Sequence, residues 1–437
     1  MRNTRLQRQA HLIAIRFLPV FLGALCLAAS GDCAAPPFSK VIDELFADAP
    51  LAQLIDPVQD VVFEDTGTII VFHGRGCAKA DRAGQQVTLK VGQSVNVPTY
   101  AKNATVFLNG WRLQYLHGDH HVGFVVTAIR NISLEGQTLK WEAIGKLADR
   151  NFDDAYLWCY RFTAFGWDPS QINVSVDDRD SPGETDNIEF QNFFAGQNLT
   201  DSAGVVFPRL VSNPGVAPGA PVPILPRGFM FGWDDDHHLL QIGYNLNHSE
   251  RFIDASRKYL NRGKDQLPQL AASQVNSPFA SWETTVVFKD DDGHRDYAFG
   301  EVVSVLRGDD VGLIQPPYSS QVVGPVSGVS EEQKGGERIE SFVIKDIPFQ
   351  YAIPVLTGWE LRYPARDHHV REMGVEIQIP VGNGAYYEVD PQTQRGRLRY
   401  DLSSVLQDKD ARPAFFPPRH RVTVVGLRPI GGGRPIP

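Results

Sequence analysis

The chain has 437 residues, with 42 Lys and Arg against 51 Asp and Glu and a formal charge of −9. That balance, with no basic stripe, excludes a nucleic-acid binder that works by neutralising phosphates. Its 39 Gly and 30 Pro, with 10% aromatic residues, suit a loop-rich all-β protein with room for several domains.

The first element is a targeting segment at 1–35. Arg2, Arg5, Arg8 and Arg16 form a basic stretch, an apolar run follows from Phe17 to Ala29, and small residues then mark a cleavage site. The run is too short to span a bilayer, and no later stretch reaches the ~18 apolar residues that a span needs. A secreted protein, periplasmic or extracellular, with no membrane span is expected. Of the four cysteines, Cys77 and Cys159 remain after cleavage at Ala35, and both flank strand-like segments. In an oxidising compartment that pair predicts a disulfide.

A helical lead is expected at 36–65, because Val41, Ile42, Leu45, Phe46, Leu51 and Leu54 recur at helical spacing. From Thr66 the pattern changes. "GTIIVFHG", "QVTLKV", "ATVFLNGWRLQYL" and "HHVGFVVTAIRNI" are rich in β-branched and aromatic residues and are separated by Gly, Asn and Asp. They predict a first antiparallel β-sandwich repeat at 66–170. Proline- and glycine-rich stretches at 171–215 and 313–337 read as linkers. They bound a second repeat at 216–312, with a helical insert, and a third at 338–437.

The repeats are announced by one phrase. "GWRLQYLHGDHHV" begins at Gly110, "GFMFGWDDDHHL" at Gly228 and "GWELRYPARDHHV" at Gly358. Six of the 12 histidines fall in the three Asp-His-His triplets. Trp111, Leu113 and Tyr115, and their counterparts, form an apolar row at the period-two spacing of a strand. The residues after them read as a hairpin turn, which puts each triplet at the start of a return strand.

The candidate ligand-binding residues are Asp119, His120, His121, Asp236, His237, His238, Asp367, His368 and His369. Adjacent strand residues face opposite ways, so one His-His pair does not chelate one ion. The pairs that share a face are Asp119 with His121, Asp236 with His238, and Asp367 with His369. Each pair offers a divalent metal two ligands, and zinc or copper wants three or four. Help is sought from acidic loops, at Asp149, Asp153 and Asp154 in the first repeat and at Asp290 to Asp292 with His294 in the second. The competing reading is architectural, with Asp capping the turn and one His bonded to a carbonyl; it is the preferred one.

No Gly-x-Ser-x-Gly, His-Glu-x-x-His or Walker loop is present. The chain is therefore read as a secreted binding protein rather than an enzyme. The alternatives are a secreted metal-dependent enzyme that uses an Asp-His-His cluster, and a structural surface or appendage protein.

In the first repeat, "ATVFLNGWRLQY", "VVTAIRNISLEGQTLKWEAI" and "YLWCYRFTAFGW" follow one another in an order that resembles the H-type lectin domain. The resemblance implies lectin-like β-sandwich modules, a homo-oligomer that would be a trimer, and carbohydrate or a surface glycoconjugate as partner. The Gly-aromatic…Asp-His-His phrase is not part of that family's pattern, and no ligand residue is carried over from it.

Overall fold

The computed structural model describes residues 54–80, 89–149, 154–177, 205–212, 223–248, 279–290, 297–314, 333–334, 337–364, 366–379, 386–409, 414–415 and 418–430. The expected targeting segment, the helical insert of the second repeat and the lead before Leu54 lie outside these residues. Among the described residues the protein is all-β, without a helix, and therefore without one long and apolar enough to cross a membrane.

The first strands are β1 (Leu54–Asp65), β2 (Ile69–Ala80), β3 (Leu89–Asn96), β4 (Asn103–Tyr115), β5 (Val122–Glu135), β6 (Thr138–Ala148) and β7 (Tyr156–Trp167). Next come β8 (Ser175–Asp177), β9 (Val205–Ser212), β10 (Ile224–His237), β11 (Gln241–His248), β12 (Phe279–Lys289), β13 (Tyr297–Arg307), β14 (Val311–Ile314) and β15 (Gln333–Lys334). The last are β16 (Arg338–Ile347), β17 (Phe349–Arg362), β18 (Glu372–Gln378), β19 (Tyr387–Asp390), β20 (Arg395–Gln407), β21 (Ala414–Phe415) and β22 (Arg419–Pro429).

Two expectations change. The end of the helical lead, Leu54–Asp65, is the strand β1. Pro57 interrupts a helix there, and Val61, Val62 and Phe63 suit a strand. A short turn at Thr66–Thr68, with Gly67 at φ 80°, returns the chain to pair with β2. The stretches expected to be linkers also hold strands, β8 and β9 in the first and β14 and β15 in the second.

The larger change is at the triplets. The strand before each triplet and the strand after it are not hairpin partners. They lie in different sheets: β4 and β5, β10 and β11, β17 and β18. The chain arches from one sheet to the next, and the triplet sits in the arch. A tight hairpin needs a two-residue turn, and Leu116–His121 in the first arch is too long for one.

The three large sheets run β1-β2-β7-β4-β18-β20-β16 with β19 beside β20, β3-β6-β5-β10-β13-β8, and β14-β22-β17-β11-β12-β9. Each joins strands from two of the three triplet-bearing segments. β4 pairs with β18, β10 with β5, and β17 with β11, all antiparallel. The first segment thus reaches the third, the second reaches the first, and the third reaches the second, closing a ring.

The register is the same at each seam. Gly110 lies opposite Glu376, Gly228 opposite Ala128, and Gly358 opposite Asn245. Counted from the triplet aspartates, 376−367, 128−119 and 245−236 are all 9. Glycine is needed at these seams because the backbones nearly touch. A Cβ on Gly110 would lie 2.5 Å from Glu376 Cα, and one on Gly228 would lie 2.3 Å from Ala128 Cβ.

One residue earlier, each strand carries a bulge, between Leu108 and Gly110, Pro226 and Gly228, and Leu356 and Gly358. The residue inside the bulge is polar and buried in every case: Asn109, Arg227 and Thr357. Asn109 shows why burial is tolerated. Its amide donates to Thr163 Oγ1 at 2.7 Å and to Pro354 O at 2.8 Å, and its carbonyl accepts from Leu356 N at 3.0 Å. A buried amide satisfied in this way fastens β4 to β17.

One residue later, the apolar row of the phrase points to a common centre. The rings of Trp111, Phe229 and Trp359 meet with centroids 4.8, 5.1 and 5.4 Å apart. All three are buried. The segments therefore share one core.

Cys77 and Cys159 stand directly opposite on β2 and β7, and their sulfurs are bonded across a Cα separation of 4.1 Å. That is compatible with an oxidising compartment. The bridge closes a loop over a sequence separation of 82 residues, which restricts the unfolded chain. The Cys77→Ala/Cys159→Ala double variant should lose about 2–4 kcal/mol in urea denaturation. An unchanged midpoint would show that the bridge contributes nothing.

Behind Thr163 lies His73, buried, with Nδ1 2.9 Å from Thr163 Oγ1 and its ring edge-on to Tyr386. Burial, helped by the Arg161 charge, pushes the His73 pKa down to about 3. The folded protein therefore binds fewer protons here than the unfolded chain between the usual 6.5 and about 3. The stability is complete above pH 6.5 and is lost as the pH falls towards 3, at ~1.4 kcal/mol per pH unit. Asparagine places a carbonyl near the Nδ1 position, so His73→Asn should flatten the pH dependence by that slope. Parallel wild-type and variant curves between pH 6 and pH 4 would refute the assignment.

Candidate metal centre

The three arches meet at one end of the shared core. Their backbones are tied directly together. His120 N donates to Val370 O at 3.1 Å and Val370 N to His120 O at 2.9 Å. Leu239 N donates to His368 O at 2.9 Å, and His368 N donates back to Leu239 O at 3.1 Å. His237 stands opposite Val122 at the third junction. At each junction the middle histidine of one triplet pairs with the residue that follows another triplet. The cyclic order is that of the sheet seams.

This closure fixes where the rings go. The outer histidines, His121, His238 and His369, turn inward to one point, with ring centroids 4.6, 4.6 and 4.4 Å apart. One nitrogen from each lies within 4.8 Å of the other two. The middle histidines turn the other way, as the period-two argument requires. They face carboxylates that follow or precede neighbouring strands: His120 faces Asp154 at 2.8 Å, His237 faces Asp290 at 3.6 Å and His368 faces Asp408 at 3.8 Å. Tyr115 and Tyr363 pack on His120 and His368, with ring centroids 4.8 and 4.7 Å away.

The triplet aspartates hold the inner rings from behind. Asp119 Oδ2 lies 3.8 Å from His369 Nδ1, and Asp367 Oδ1 lies 3.6 Å from His238 Nδ1. Each carboxylate thus addresses a histidine of a different segment. A carboxylate at Nδ1 favours the tautomer with its proton there, leaving the Nε2 lone pair to coordinate a metal. Asp236 is the penultimate residue of β10, and its side chain lies outside the described residues.

The electrostatics favour the neutral form of His369 and His368. Burial, then the neighbouring His238 and His121, lower the His369 pKa. Burial also lowers that of His368. A neutral imidazole is what a metal ligand must be.

Three imidazoles without a cysteine or an inner carboxylate suit zinc, copper, nickel or cobalt, and suit calcium and magnesium poorly because those ions take oxygen. Zinc at about 2.0–2.1 Å from each nitrogen draws the three nitrogens to about 3.4 Å apart. His238 and His369 keep 41% and 40% of their side-chain surface exposed. The centre is open on one side, and an ion held by three rings there retains a coordination position for water or a further ligand.

The nine candidate residues all belong to this one region, but in a different grouping from the expected pairs. Asp119 and His121 do not form a ligand pair; Asp119 serves His369. The acidic loop of the first segment approaches the middle histidine, His120, rather than His121. Asp153 and the 291–296 stretch with His294 lie outside the described residues. Asp408 was missed. It occupies the same place as Asp149 and Asp290, one residue past the partner of the return strand. The weak signal was a hydrophobic residue two positions before each Asp.

No family model, curated protein or solved structure matches this chain. The centre is read from its geometry.

Proposed function

We propose that this is an exported metal-binding protein in which three diverged tandem repeats contribute one histidine each to a mononuclear site for a divalent transition ion. The observation that carries the reading is the convergence of His121, His238 and His369 within 4.8 Å. The identical nine-residue seam offset supports the repeat origin. The N-terminal pattern and the disulfide support export. The threefold arrangement that the lectin resemblance expects between chains is supplied within a single chain.

An ion held by neutral imidazoles keeps its full positive charge and prefers anionic oxygen, nitrogen or sulfur donors to neutral hydroxyls. The open position therefore fits a carboxylate, imidazole or thiolate of a partner molecule better than a sugar. The protein is a metal-dependent binding module in this reading.

Cobalt(II) titration of the metal-stripped protein tests it. Visible absorption bands of four- or five-coordinate cobalt should develop, and the component that added imidazole perturbs should be lost in His121→Ala. Added imidazole should perturb them by entering the open position. A cobalt spectrum identical to that of the hydrated ion, with no retention on dialysis, would defeat the proposal.

A further inference from the structure

The middle histidine of the first triplet belongs to a second donor cluster, on the opposite side of the backbone from the three-histidine centre. One ring nitrogen of His120 and one carboxylate oxygen from each of Asp149 and Asp154 lie within 4.8 Å of one another. The arch after β4 supplies His120, the end of β6 supplies Asp149, and the approach to β7 supplies Asp154.

The other ring nitrogen settles the tautomer. His120 Nε2 lies 2.6 Å from the carbonyl oxygen of His117. A carbonyl only accepts, so Nε2 carries a proton and donates it. In the neutral ring the lone pair is then on Nδ1, which lies 2.8 Å from Asp154 Oδ2. A carboxylate at that distance calls for a cation at Nδ1, either a proton or a metal ion in its place. Asp149 is only 5% exposed, so the cluster has a buried inner side, while Asp154 stands at its rim. A backbone carbonyl that accepts the remote N–H, as His117 O does here, is also the usual outer support of a metal-bound imidazole.

We propose that His120, Asp149 and Asp154 bind a second divalent cation, separate from the three-histidine centre. One imidazole with two carboxylates is a harder donor set than three imidazoles and suits zinc or manganese. The other segments repeat the pair but not the trio. His237 meets Asp290 at 3.6 Å and His368 meets Asp408 at 3.8 Å, and a second carboxylate joins only His120 among the described residues. One additional site is therefore assigned, rather than three.

Equilibrium dialysis of the full chain against zinc chloride, followed by elemental analysis, decides it. Wild type should hold one zinc equivalent more than Asp154→Asn, whose side chain is at the rim and 22% exposed. The His121→Ala/His238→Ala/His369→Ala variant should keep one equivalent, and adding Asp154→Asn to it should leave none. Equal zinc in wild type and Asp154→Asn overturns the proposal, and is the result expected if only a proton occupies the cluster. Should Asp154→Asn fail to fold, the triple variant decides alone: one retained equivalent supports the site and none overturns it.

Discussion

Saturating zinc should raise the unfolding midpoint of the metal-stripped protein, and a chelator should reverse the rise. His121, His238 and His369 come from three segments, so their cluster exists only while the ring of sheets is closed. An ion that binds the folded form alone stabilises it by RT ln(1 + [L]/Kd), about 2.7 kcal/mol at 100 times Kd and about 4.1 kcal/mol at 1,000 times. His238→Ala separates this from any effect of the ring itself. Its side chain is 41% exposed, and a substitution at such a position changes metal-free stability by about 0.5 kcal/mol or less. The variant should melt like the stripped wild type and should lose the part of the zinc-induced rise that the three-histidine cluster supplies, keeping only what zinc at His120, Asp149 and Asp154 contributes. If zinc and chelator leave the wild-type midpoint unmoved, the three-histidine site does not hold metal.

Trp359→Ala should be the most damaging single change in the core. The indole is 2% exposed and touches both Trp111 and Phe229, at ring-centroid distances of 4.8 and 5.1 Å. Its removal leaves a cavity where three sheets meet, and large-to-alanine changes of this kind cost about 3–5 kcal/mol. The loss should be shared. Tryptophan fluorescence and far-ultraviolet circular dichroism should report one transition in urea, displaced to lower concentration. A separate transition confined to the third segment would refute a common core.

The sequence showed part of this plainly. Runs of β-branched and aromatic residues marked β2, β3, β4 and β5, and the even cysteine pair marked a bridge that stands across β2 and β7. The period-two rule correctly sent His120 and His121 to opposite sides. It did not reveal the partners. A hairpin and an arch between sheets have the same local signature, two strands with Gly and Asp between them. What selects the arch is contact between distant segments: Gly110 against Glu376, and the indole of Trp111 against Phe229 and Trp359. For the same reason the metal ligands were paired within each triplet. Their convergence is a property of the ring, and no single strand contains it. Asp408 was hidden because its surroundings, Gln407 and Lys409, differ from the acidic runs at Asp290 and Asp154.

The cyclic order of the seams also governs how the chain reaches its native state. β4 pairs with β7 on one side, but its other edge is covered only when β18 is present, since Gly110 pairs with Glu376 across 376−110 = 266 residues. Closing a loop of that length has an entropic cost that no local contact offsets beforehand. Folding dominated by such remote pairings is slow. Until the third segment arrives, the unpaired edges of β4 and β11 are open to other chains. A polypeptide truncated before β17 would keep both edges bare, so aggregation, rather than a folded fragment, is the fate of an incomplete chain.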